Sequence, residues 1–243
     1  FKLEPGTILE TTLSFPAAPP DKALRPGQRY GELFIRQYWS IEETLTKGDQ
    51  QRFSGDAEAI TEIERTLSDA VERQMLADVP LGAFLSGGVD SSSVVALMSE
   101  ASKSPVTTCS IGFDVESVDE TRYARQVAEL FATDHHERIV SADQFDAIDS
   151  IAAIFDEPFA DASALPTLRV CQLAREHVTV ALSGDGADEA FAGYRRQMFH
   201  AREEQARSVL PSALRQPLFG SLGKVWPKAD WAPRPLRAKT TLL

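Results

Sequence analysis

The sequence has 243 residues, of which 43% are hydrophobic and 25% charged, and its formal net charge is −11. This composition is that of a soluble globular protein with one sizeable core, and the acidic balance argues against a nucleic-acid partner. No apolar run is long enough to cross a membrane and no signal peptide is evident, so we expect a cytoplasmic protein without a membrane partner. Two cysteines, Cys109 and Cys171, lie in apolar segments and are interpreted as reduced core residues.

Residues 1–55 differ in character from the rest of the chain. Residues 7–13 alternate weakly, as in a strand, whereas the proline-rich segment 15–27 excludes regular structure and residues 47–56 are polar. We interpret residues 1–55 as the tail of a β-containing upstream domain followed by a linker. Residues 56–243 are then a second domain, incomplete at its C-terminus, and the chain is expected to be a piece of a longer protein.

A helix is predicted over residues 56–77, with Asp56 as its candidate N-cap. Apolar residues recur there at three- and four-residue steps, which predicts one face that packs into the core. These residues are Ile60, Ile63, Leu67, Val71 and Met75. The segment 78–80, Asp-Val-Pro, is expected to end the helix before the first buried strand.

From residue 81 onward, strands alternate with helices. Strands are predicted at residues 81–85, 106–113, 135–140 and 178–183, and helices at residues 119–131, 142–155 and 161–177. This alternation predicts the α/β class: a parallel, twisted sheet with right-handed crossovers and helices on both faces. Ligands of such sheets bind beyond the carboxyl ends of the strands, where Ser86 and Ser183 lie.

The segment 83–93, Ala-Phe-Leu-Ser-Gly-Gly-Val-Asp-Ser-Ser-Ser, joins the first buried strand to the next helix. Gly87 and Gly88 permit positive φ and leave no Cβ atom between the backbone and a ligand. Asp90 or Ser91 can cap the helix, whose N-terminus offers unpaired N–H groups to an anion. With its hydroxyl groups the segment suits phosphate or pyrophosphate, and Asp90 suits a divalent cation beside it. The alternative is a tight strand-to-helix turn in which the glycines and Asp90 are only structural.

A second segment of small and acidic residues follows the last predicted strand, because residues 183–189 read Ser-Gly-Asp-Gly-Ala-Asp-Glu. Three carboxylates within five positions raise one another's pKa or require a cation. Asp188 can therefore share Mg²⁺ with Asp90, and Asp185 can act on a substrate as an acid, a base or an orienting group. The alternative is an acidic, solvated helix start, where the helix dipole favours carboxylates.

Together the two segments resemble the synthetase domain of the glutamine-hydrolysing asparagine synthetases. The loop Ser-Gly-Gly-x-Asp-Ser-Ser at residues 86–92 resembles the pyrophosphate loop (PP-loop) of the N-type ATP pyrophosphatases. The string Ser-Gly-Asp-Gly-x-Asp-Glu-x-Phe-x-Gly-Tyr at residues 183–194 is similar to the second motif of the family. Residues 155–166 also resemble this family, and residues 1–45 resemble the end of its glutaminase domain. The resemblance implies an adenine-nucleotide alpha-hydrolase-like fold that uses ATP and Mg²⁺.

The resemblance also implies a role for each matching position. Phe84 and Ile111 would flank the adenine or the ribose, and Ser183 and Gly184 would meet the nucleotide. The residues that would wrap the pyrophosphate are Ser86, Gly87, Gly88, Asp90, Ser91 and Ser92. Asp90 and Asp188 would bind Mg²⁺. Asp185 stands where asparagine synthetases often carry Glu, the residue tied to acyl-adenylate formation. Its shorter side chain implies a substrate that sits closer or that differs from aspartate.

The activity that the resemblance implies is that of a ligase of asparagine biosynthesis. ATP would activate aspartate or a related carboxylate as an acyl-adenylate, and ammonia from a glutaminase domain of the same polypeptide would give the amide. A homodimer is left open. One alternative is a related amidotransferase or β-lactam-type synthetase that acts on another carboxylate, and another is a nucleotide-binding module without catalysis. This chain alone is expected to be inactive, because it lacks both the cysteine nucleophile for glutamine hydrolysis and the downstream lysine of the family.

Overall fold

The computed structural model describes residues 2–115, 119–141, 148–155, 159 and 161–208. The chain divides into two compact units, Phe1–Leu67 and Ser68–Leu243. A domain boundary after residue 55 stays a prediction. Within the described ranges, no helix is long and apolar enough to cross a membrane.

The first unit contains a small antiparallel sheet of strands β1 (Thr7–Glu10), β2 (Arg29–Tyr30) and β3 (Leu33–Gln37), in the order β1-β3-β2. The strand predicted at residues 7–13 is therefore present but ends at Glu10. Helix α1 (Ile41–Gln50) follows, where the sequence predicted no helix. It forms because Ser40 caps it by accepting a hydrogen bond from the Glu43 N–H, at 3.1 Å, and because acidic residues occupy its first turn.

Helix α2 (Asp56–Gln74) confirms the predicted helix and ends three residues earlier than expected. Its first turn is held by Glu58, which accepts hydrogen bonds from the backbone and the hydroxyl of Ser54. The expected apolar face is only partly core. Val71 is buried and Met75 packs beside it, whereas Ile60 is 64% exposed. Helical spacing predicts which side chains share a face, and it does not say how far along the helix that face is covered.

The second unit is built on a parallel sheet with helices between its strands, which confirms the predicted fold class. Its strands are β4 (Leu81–Phe84), β5 (Thr107–Phe113), β6 (Asp134–Val140) and β7 (Val180–Leu182), in the order β6-β5-β4-β7. Every pairing between neighbouring strands is parallel. The helices are α3 (Val89–Ala101), α4 (Thr121–Leu130), α5 (Ile148–Ile154), α6 (Ala164–Ala174), α7 (Ala187–Phe191) and α8 (Arg195–Ser208).

Two apolar clusters place helices on both faces of this sheet. Ala83 and the following Leu85 pack with side chains of α3 and α4, such as Met98. Phe84 points the opposite way, because neighbouring residues of a strand alternate, and it packs on the cluster of Cys109 with α6. Each fully buried side chain of the size of Leu85 or Met98 stabilises the fold by about 1.5–3 kcal/mol.

Both cysteines are free thiols. Cys109 is buried as predicted, but the prediction that Cys171 is a core residue is wrong, since Cys171 is exposed on α6.

The strand order sets the position of a site. Strands β4, β5 and β6 follow one another in the same direction across the sheet, and β7 then pairs on the other side of β4. The chain therefore builds the sheet outward from β4 on one side and then returns to the other side of β4 with β7. Open α/β sheets bind ligands at such a reversal, in the crevice beyond the carboxyl ends of the two strands that flank it. The loops that leave these two ends begin at Leu85 and Ser183.

Some predicted segments fall outside the described residues. The helix predicted at residues 142–155 is described only as α5, and residues 156–158 and 160 of the segment that resembles the family are not described. The proline-rich segment after Ser208 also lies outside the described part of the chain.

Candidate functional site

A cavity of about 290 Å³ opens at the reversal of strand order, between the ends of β4, β5 and β7 and the first turns of α6. The two loops supply one part of its lining, here called the polar end, which consists of Ser86, Gly88, Asp90, Ser91, Ser183, Gly184 and Asp185. The strands and α6 supply the other part, here called the apolar end, in which Phe84, Leu85, Cys109, Ile111, Pro166 and Val170 are joined by Ser110 and Thr167. Of the site residues predicted from the sequence, Gly87, Ser92 and Asp188 lie outside the lining that the described residues form.

The polar end contains the N-terminus of α3. Gly88 is the N-cap, with φ −71° and ψ 161°, and no side chain caps the helix. The prediction that Asp90 or Ser91 caps α3 is therefore wrong, because both lie in the first helical turn, after an extended glycine. The first N–H groups of a helix have no intrahelical acceptor, and among those of α3 that the structure describes only the Gly88 N–H meets a side-chain acceptor, the Ser86 Oγ. Such a helix N-terminus favours an anion.

Two serines shape the loop before the helix. The Ser91 hydroxyl accepts a hydrogen bond from the Ser86 N–H at 3.2 Å and lies 2.9 Å from the Ser86 hydroxyl. The Gly88 N–H donates to the Ser86 Oγ at 3.3 Å. Ser91 is buried whereas Ser86 is exposed, so Ser91 closes the loop from inside and Ser86 presents its hydroxyl to the cavity. The Ser92 Oγ is buried with no hydrogen-bond partner among the described residues.

The two glycines of the loop differ in role. Gly87 has φ +80°, and a Cβ atom there would lie 2.5 Å from the Tyr123 Cβ and 2.6 Å from the Ala124 nitrogen of α4. Gly87 thus lets the loop pack against α4 and does not make room for a ligand. Both glycines permit positive φ, but only Gly87 adopts it, because Gly88 has φ −71°. A Cβ atom at Gly88 would meet only the Ser86 Oγ, at 3.3 Å, so Gly88 faces open space.

The second loop touches the first through a glycine. A Cβ atom at Gly184 would lie 2.6 Å from the Ser91 nitrogen and 2.7 Å from the Asp90 carbonyl carbon. The loop then continues with Ser183 Oγ accepting from the Asp185 N–H at 3.3 Å and with Gly186 at φ +97° before α7. Because only a glycine permits this approach, the two loops face one cavity.

The acidic residues of the two loops are placed differently. Asp90 and Asp185 are exposed and line the same cavity. Asp188 lies in the first turn of α7, half-buried, with its Oδ1 against Gly193. Among the described residues, no group of three or more His, Cys, Asp or Glu could hold a metal ion. Mg²⁺ usually takes only one or two carboxylates together with phosphate oxygens. The two carboxylates that line the cavity, Asp90 and Asp185, are therefore enough for a magnesium ion that arrives with a phosphate ligand, whereas Asp188, the predicted second ligand, lies outside the lining.

The apolar end includes residues that the sequence did not single out as lining a site. Pro166 and Val170 are four residues apart on one side of α6, next to Phe84 and Ile111. The four-residue spacing within α6 is the signal that could have indicated them. Cys109 also lines the cavity, and burial first of all, and then the negative charges of Asp134 and Glu176, raise the pKa of its thiol to about 11. The thiol therefore stays protonated near neutral pH, and it contributes shape rather than a nucleophile.

The acidic pair at residues 119–120 lies outside this lining. The Asp119 carboxylate accepts from the Thr121 N–H at 3.3 Å and from the Thr121 hydroxyl at 2.9 Å, and these bonds lower its pKa. Asp119 therefore holds the first turn of α4.

The fold and the cavity define a class of protein. An uncapped helix N-terminus at the reversal of strand order, with an apolar recess beside it, is the arrangement of an α/β protein that binds a nucleotide or another phosphorylated ligand. Residues 62–243 match the family model described as asparagine synthase. The chain belongs to the asparagine synthase family.

Curated relatives agree with this membership. A provisionally named glutamine-hydrolysing asparagine synthetase 2 from Methanocaldococcus jannaschii is 42% identical over 180 residues, which cover 73% of this chain and 33% of the relative. Glutamine-hydrolysing asparagine synthetase 1 from Bacillus subtilis is 32% identical over 71% of this chain and 27% of its own length. The chain thus spans about a third or less of the relatives it matches. A solved NH3-dependent NAD synthetase from Campylobacter jejuni is similar at a TM-score of 0.39, with 14% identity over 55% of this chain and 60% of that one.

Proposed function

We propose that this chain carries the ATP site of a ligase that converts a carboxylate into an amide. The observation that carries the proposal is the contact of Gly184 with the first turn of α3, which turns two loops toward one cavity. The names of the two relatives support amide formation with glutamine as the nitrogen source. In this proposal aspartate or a related carboxylate is the substrate, and a glutaminase domain supplies ammonia. Asparagine biosynthesis in the cytoplasm and a homodimer stay predictions.

ATP would lie along the cavity from its apolar to its polar end. Phe84 and Ile111 would hold the adenine or ribose, since they border the apolar recess. The pyrophosphate would bind at the N-terminus of α3, where the first helical N–H groups would donate to it and Ser86, Gly88 and Ser91 would form the loop that wraps it. Gly87 and Ser92 would support this loop from behind, and Ser183 and Gly184 would border the nucleotide from the second loop.

Asp90 and Asp188 would hold Mg²⁺ against the phosphate oxygens. The residues that line the cavity in the described structure include no Lys, Arg or His. The negative charge of ATP beside two or three carboxylates therefore requires compensation from the helix dipole and from a cation. A bound Mg²⁺ would neutralise phosphate charge and stabilise the leaving pyrophosphate.

The proposed reaction has two steps, activation of the carboxylate and formation of the amide. A substrate carboxylate oxygen attacks the α-phosphorus, the bond to the bridging oxygen of the pyrophosphate breaks, and an acyl-adenylate forms. Ammonia then attacks the acyl carbon, loses a proton and displaces AMP. The protein contributes mainly position and charge stabilisation: the N–H groups of α3 face the leaving group, and Asp185 orients the substrate or accepts a proton. A carboxylate other than aspartate remains the alternative because of the short Asp185 side chain.

The proposal is tested by titrating the chain with α,β-methylene ATP and Mg²⁺ in a calorimeter. We expect Asp90→Asn and Asp188→Asn each to weaken binding in the presence of Mg²⁺. The double variant should lose less than the sum of the two single losses, because both residues serve one ion. Asp78→Asn is the matched control, since Asp78 is exposed and precedes β4 at the opposite edge of the sheet. A panel of carboxylates, beginning with aspartate, is then titrated into the complex to identify the substrate.

Two outcomes would contradict the proposal. If the analogue binds equally strongly without Mg²⁺ and in both single variants, the hypothesis of one Mg²⁺ shared by Asp90 and Asp188 is wrong. If the folded chain does not bind the analogue, the assignment of an ATP site is wrong, and the chain is instead a module that binds another ligand.

A further inference from the structure

Part of the second motif has no role in the proposed function. Asp188 serves as a metal ligand there, but the residues that follow it, Glu189, Gly193 and Tyr194, remain unexplained. In the structure they form one group of contacts around α7. This helix has five residues, far fewer than the roughly 12 that an isolated helix needs to be stable in water. Its orientation must therefore come from side chains outside it.

Gly193 lies directly against the Asp188 carboxylate. The chain reverses after α7 because Ala192 adopts φ +58°, and the Gly193 N–H then donates to the Asp188 carbonyl oxygen at 3.0 Å. A Cβ atom at position 193 would overlap the Asp188 Oδ1 atom. The carboxylate thus rests in the space that a side chain at position 193 would fill. A residue with a Cβ atom would force Asp188 into another rotamer.

Tyr194 ties the end of this turn back to α7. Its hydroxyl donates to the Glu189 Oε1 at 2.6 Å, and its N–H donates to the Gln197 Oε1 at 3.0 Å. The Arg196 guanidinium lies over the Tyr194 ring, with its Cζ 4.4 Å from the ring centre. The side chain is therefore held at its hydroxyl and on one face of its ring, and through Glu189 it fixes the residue next to Asp188.

We propose that Gly193 and Tyr194 are positioning residues that fix the direction of the Asp188 carboxylate toward a metal ion bound with the nucleotide. Gly193 provides the space for the carboxylate, and Tyr194 holds the short helix that carries it. The inference rests on the proposed function, because it takes Asp188 as a Mg²⁺ ligand. Residues that orient a metal ligand typically change metal affinity about 10- to 100-fold when they are replaced.

The test measures metal affinity and nucleotide affinity separately. Mn²⁺ replaces Mg²⁺, and its binding to the chain saturated with α,β-methylene ATP is followed by electron paramagnetic resonance. Analogue binding is also measured without metal. We expect Tyr194→Phe and Gly193→Ala to weaken Mn²⁺ binding about 10-fold or more while metal-free analogue binding is unchanged. Glu189→Gln should retain Mn²⁺ binding, since its amide oxygen still accepts from Tyr194. Tyr38→Phe is the matched control, because Tyr38 is exposed in the first unit.

The Asp188→Asn variant tests the metal-ligand role of Asp188 separately from the positioning role of Gly193 and Tyr194. If Asp188→Asn weakens Mn²⁺ binding but the folded Tyr194→Phe and Gly193→Ala variants do not, the positioning role is wrong and the metal site stands. If Asp188→Asn has no effect either, both the metal assignment and the positioning role are wrong. A parallel loss of metal-free analogue binding and of thermal stability in Tyr194→Phe would show a general structural role and would also overturn the inference.

Discussion

The backbone of Ser91 lies so close to Gly184 that a Cβ atom at position 184 would stand 2.6 Å from the Ser91 nitrogen. Such a separation is too short for a Cβ carbon and a backbone nitrogen that are not bonded to each other, so the glycine is what allows the two loops to meet. The contact joins the start of α3 to the end of β7, two elements far apart in the sequence. The polar end of the cavity depends on this approach.

Gly184→Ala should therefore separate the two loops. Since the nearest atoms belong to the backbone of α3, the strain cannot be relieved by turning a side chain, and we expect a loss of about 1–3 kcal/mol in the free energy of unfolding. We also expect weaker binding of α,β-methylene ATP, measured by calorimetry. Gly55→Ala is the control, because a Cβ atom there meets nothing within 4 Å. Wild-type affinity in Gly184→Ala would show that the loops act independently.

Gly87 and Gly88 should respond differently to the same substitution. The sequence alone suggested that both glycines leave space for a ligand, but the structure contradicts this for Gly87. Gly87→Val would collide with the backbone of α4 and would have to adopt φ near +80°. We therefore expect a large loss of stability, of about 2 kcal/mol or more, in urea unfolding.

Gly88→Val should instead spare the fold. Its φ is negative and its Cβ atom would face the cavity, so the expected effect is loss of affinity for the ATP analogue. Comparison of the two variants by urea unfolding and by calorimetry separates packing from ligand contact. The assignment of the two glycines would be reversed if Gly87→Val were as stable as wild type while Gly88→Val unfolded.

His135 should make the stability of the second unit depend on pH. Its Nδ1 lies 2.9 Å from the Thr108 hydroxyl and its Nε2 lies 3.2 Å from the Ser110 hydroxyl. Burial is the main cause that lowers the pKa of His135; the charges of His136 and Arg125 lower it further, and Glu137 opposes them. The unfolded chain therefore binds a proton at a higher pH than the folded chain. The contribution to stability is complete above the unfolded pKa and is lost as pH falls through the folded one.

The measurement compares urea unfolding at about pH 8 and about pH 5.5 for wild type and His135→Gln. Wild type should lose more stability on acidification than the variant does. His200→Gln is the control, because His200 is exposed on α8. Equal losses in wild type and His135→Gln would show that other groups cause the pH dependence.

The chain alone should bind ATP without forming an amide. None of the described residues that line the cavity is basic, so within the described part of the chain no positive side chain meets the phosphates, and the open cavity admits water to an adenylate. The measurement supplies ammonium, ATP, Mg²⁺ and aspartate and follows amide formation. Ammonium makes a glutaminase unnecessary. Steady amide production by residues 1–243 would mean that the catalytic groups are misassigned.

The sequence predicted the parts of the structure that depend on local pattern. The alternation of apolar runs with helical spacing predicted β4 to β7 in a parallel sheet, and small residues after β4 and β7 predicted where the two loops lie. The N-cap of α3 was misplaced, because acidic and hydroxyl residues are preferred caps and the extended φ and ψ of Gly88 are not readable from its type. The exposure of Ile60 was missed because coverage of a helix depends on tertiary neighbours.

Within the site, the sequence indicated candidate residues but not what each of them contacts. It treated Gly87 and Gly88 alike, although one packs on α4 and the other faces the cavity. The four-residue spacing of Pro166 and Val170 indicates that they share a face of α6, but not that this face borders the site, since the approach of Val170 to Phe84 follows from how α6 crosses the sheet. Roles in ligand binding at these positions stay predictions until the titrations are made.

The position of β7 has a consequence for how the protein folds during its synthesis. Leu81 of β4 pairs with Val180 of β7, so the cavity joins segments about a hundred residues apart, and contacts of such long range form late and slowly. During synthesis the first three strands of the sheet emerge well before the fourth. Until β7 arrives, β4 presents an unpaired edge, which is a route to aggregation. A nucleotide that binds only the completed site would favour the finished chain by mass action, so its supply can influence how much of the protein survives folding.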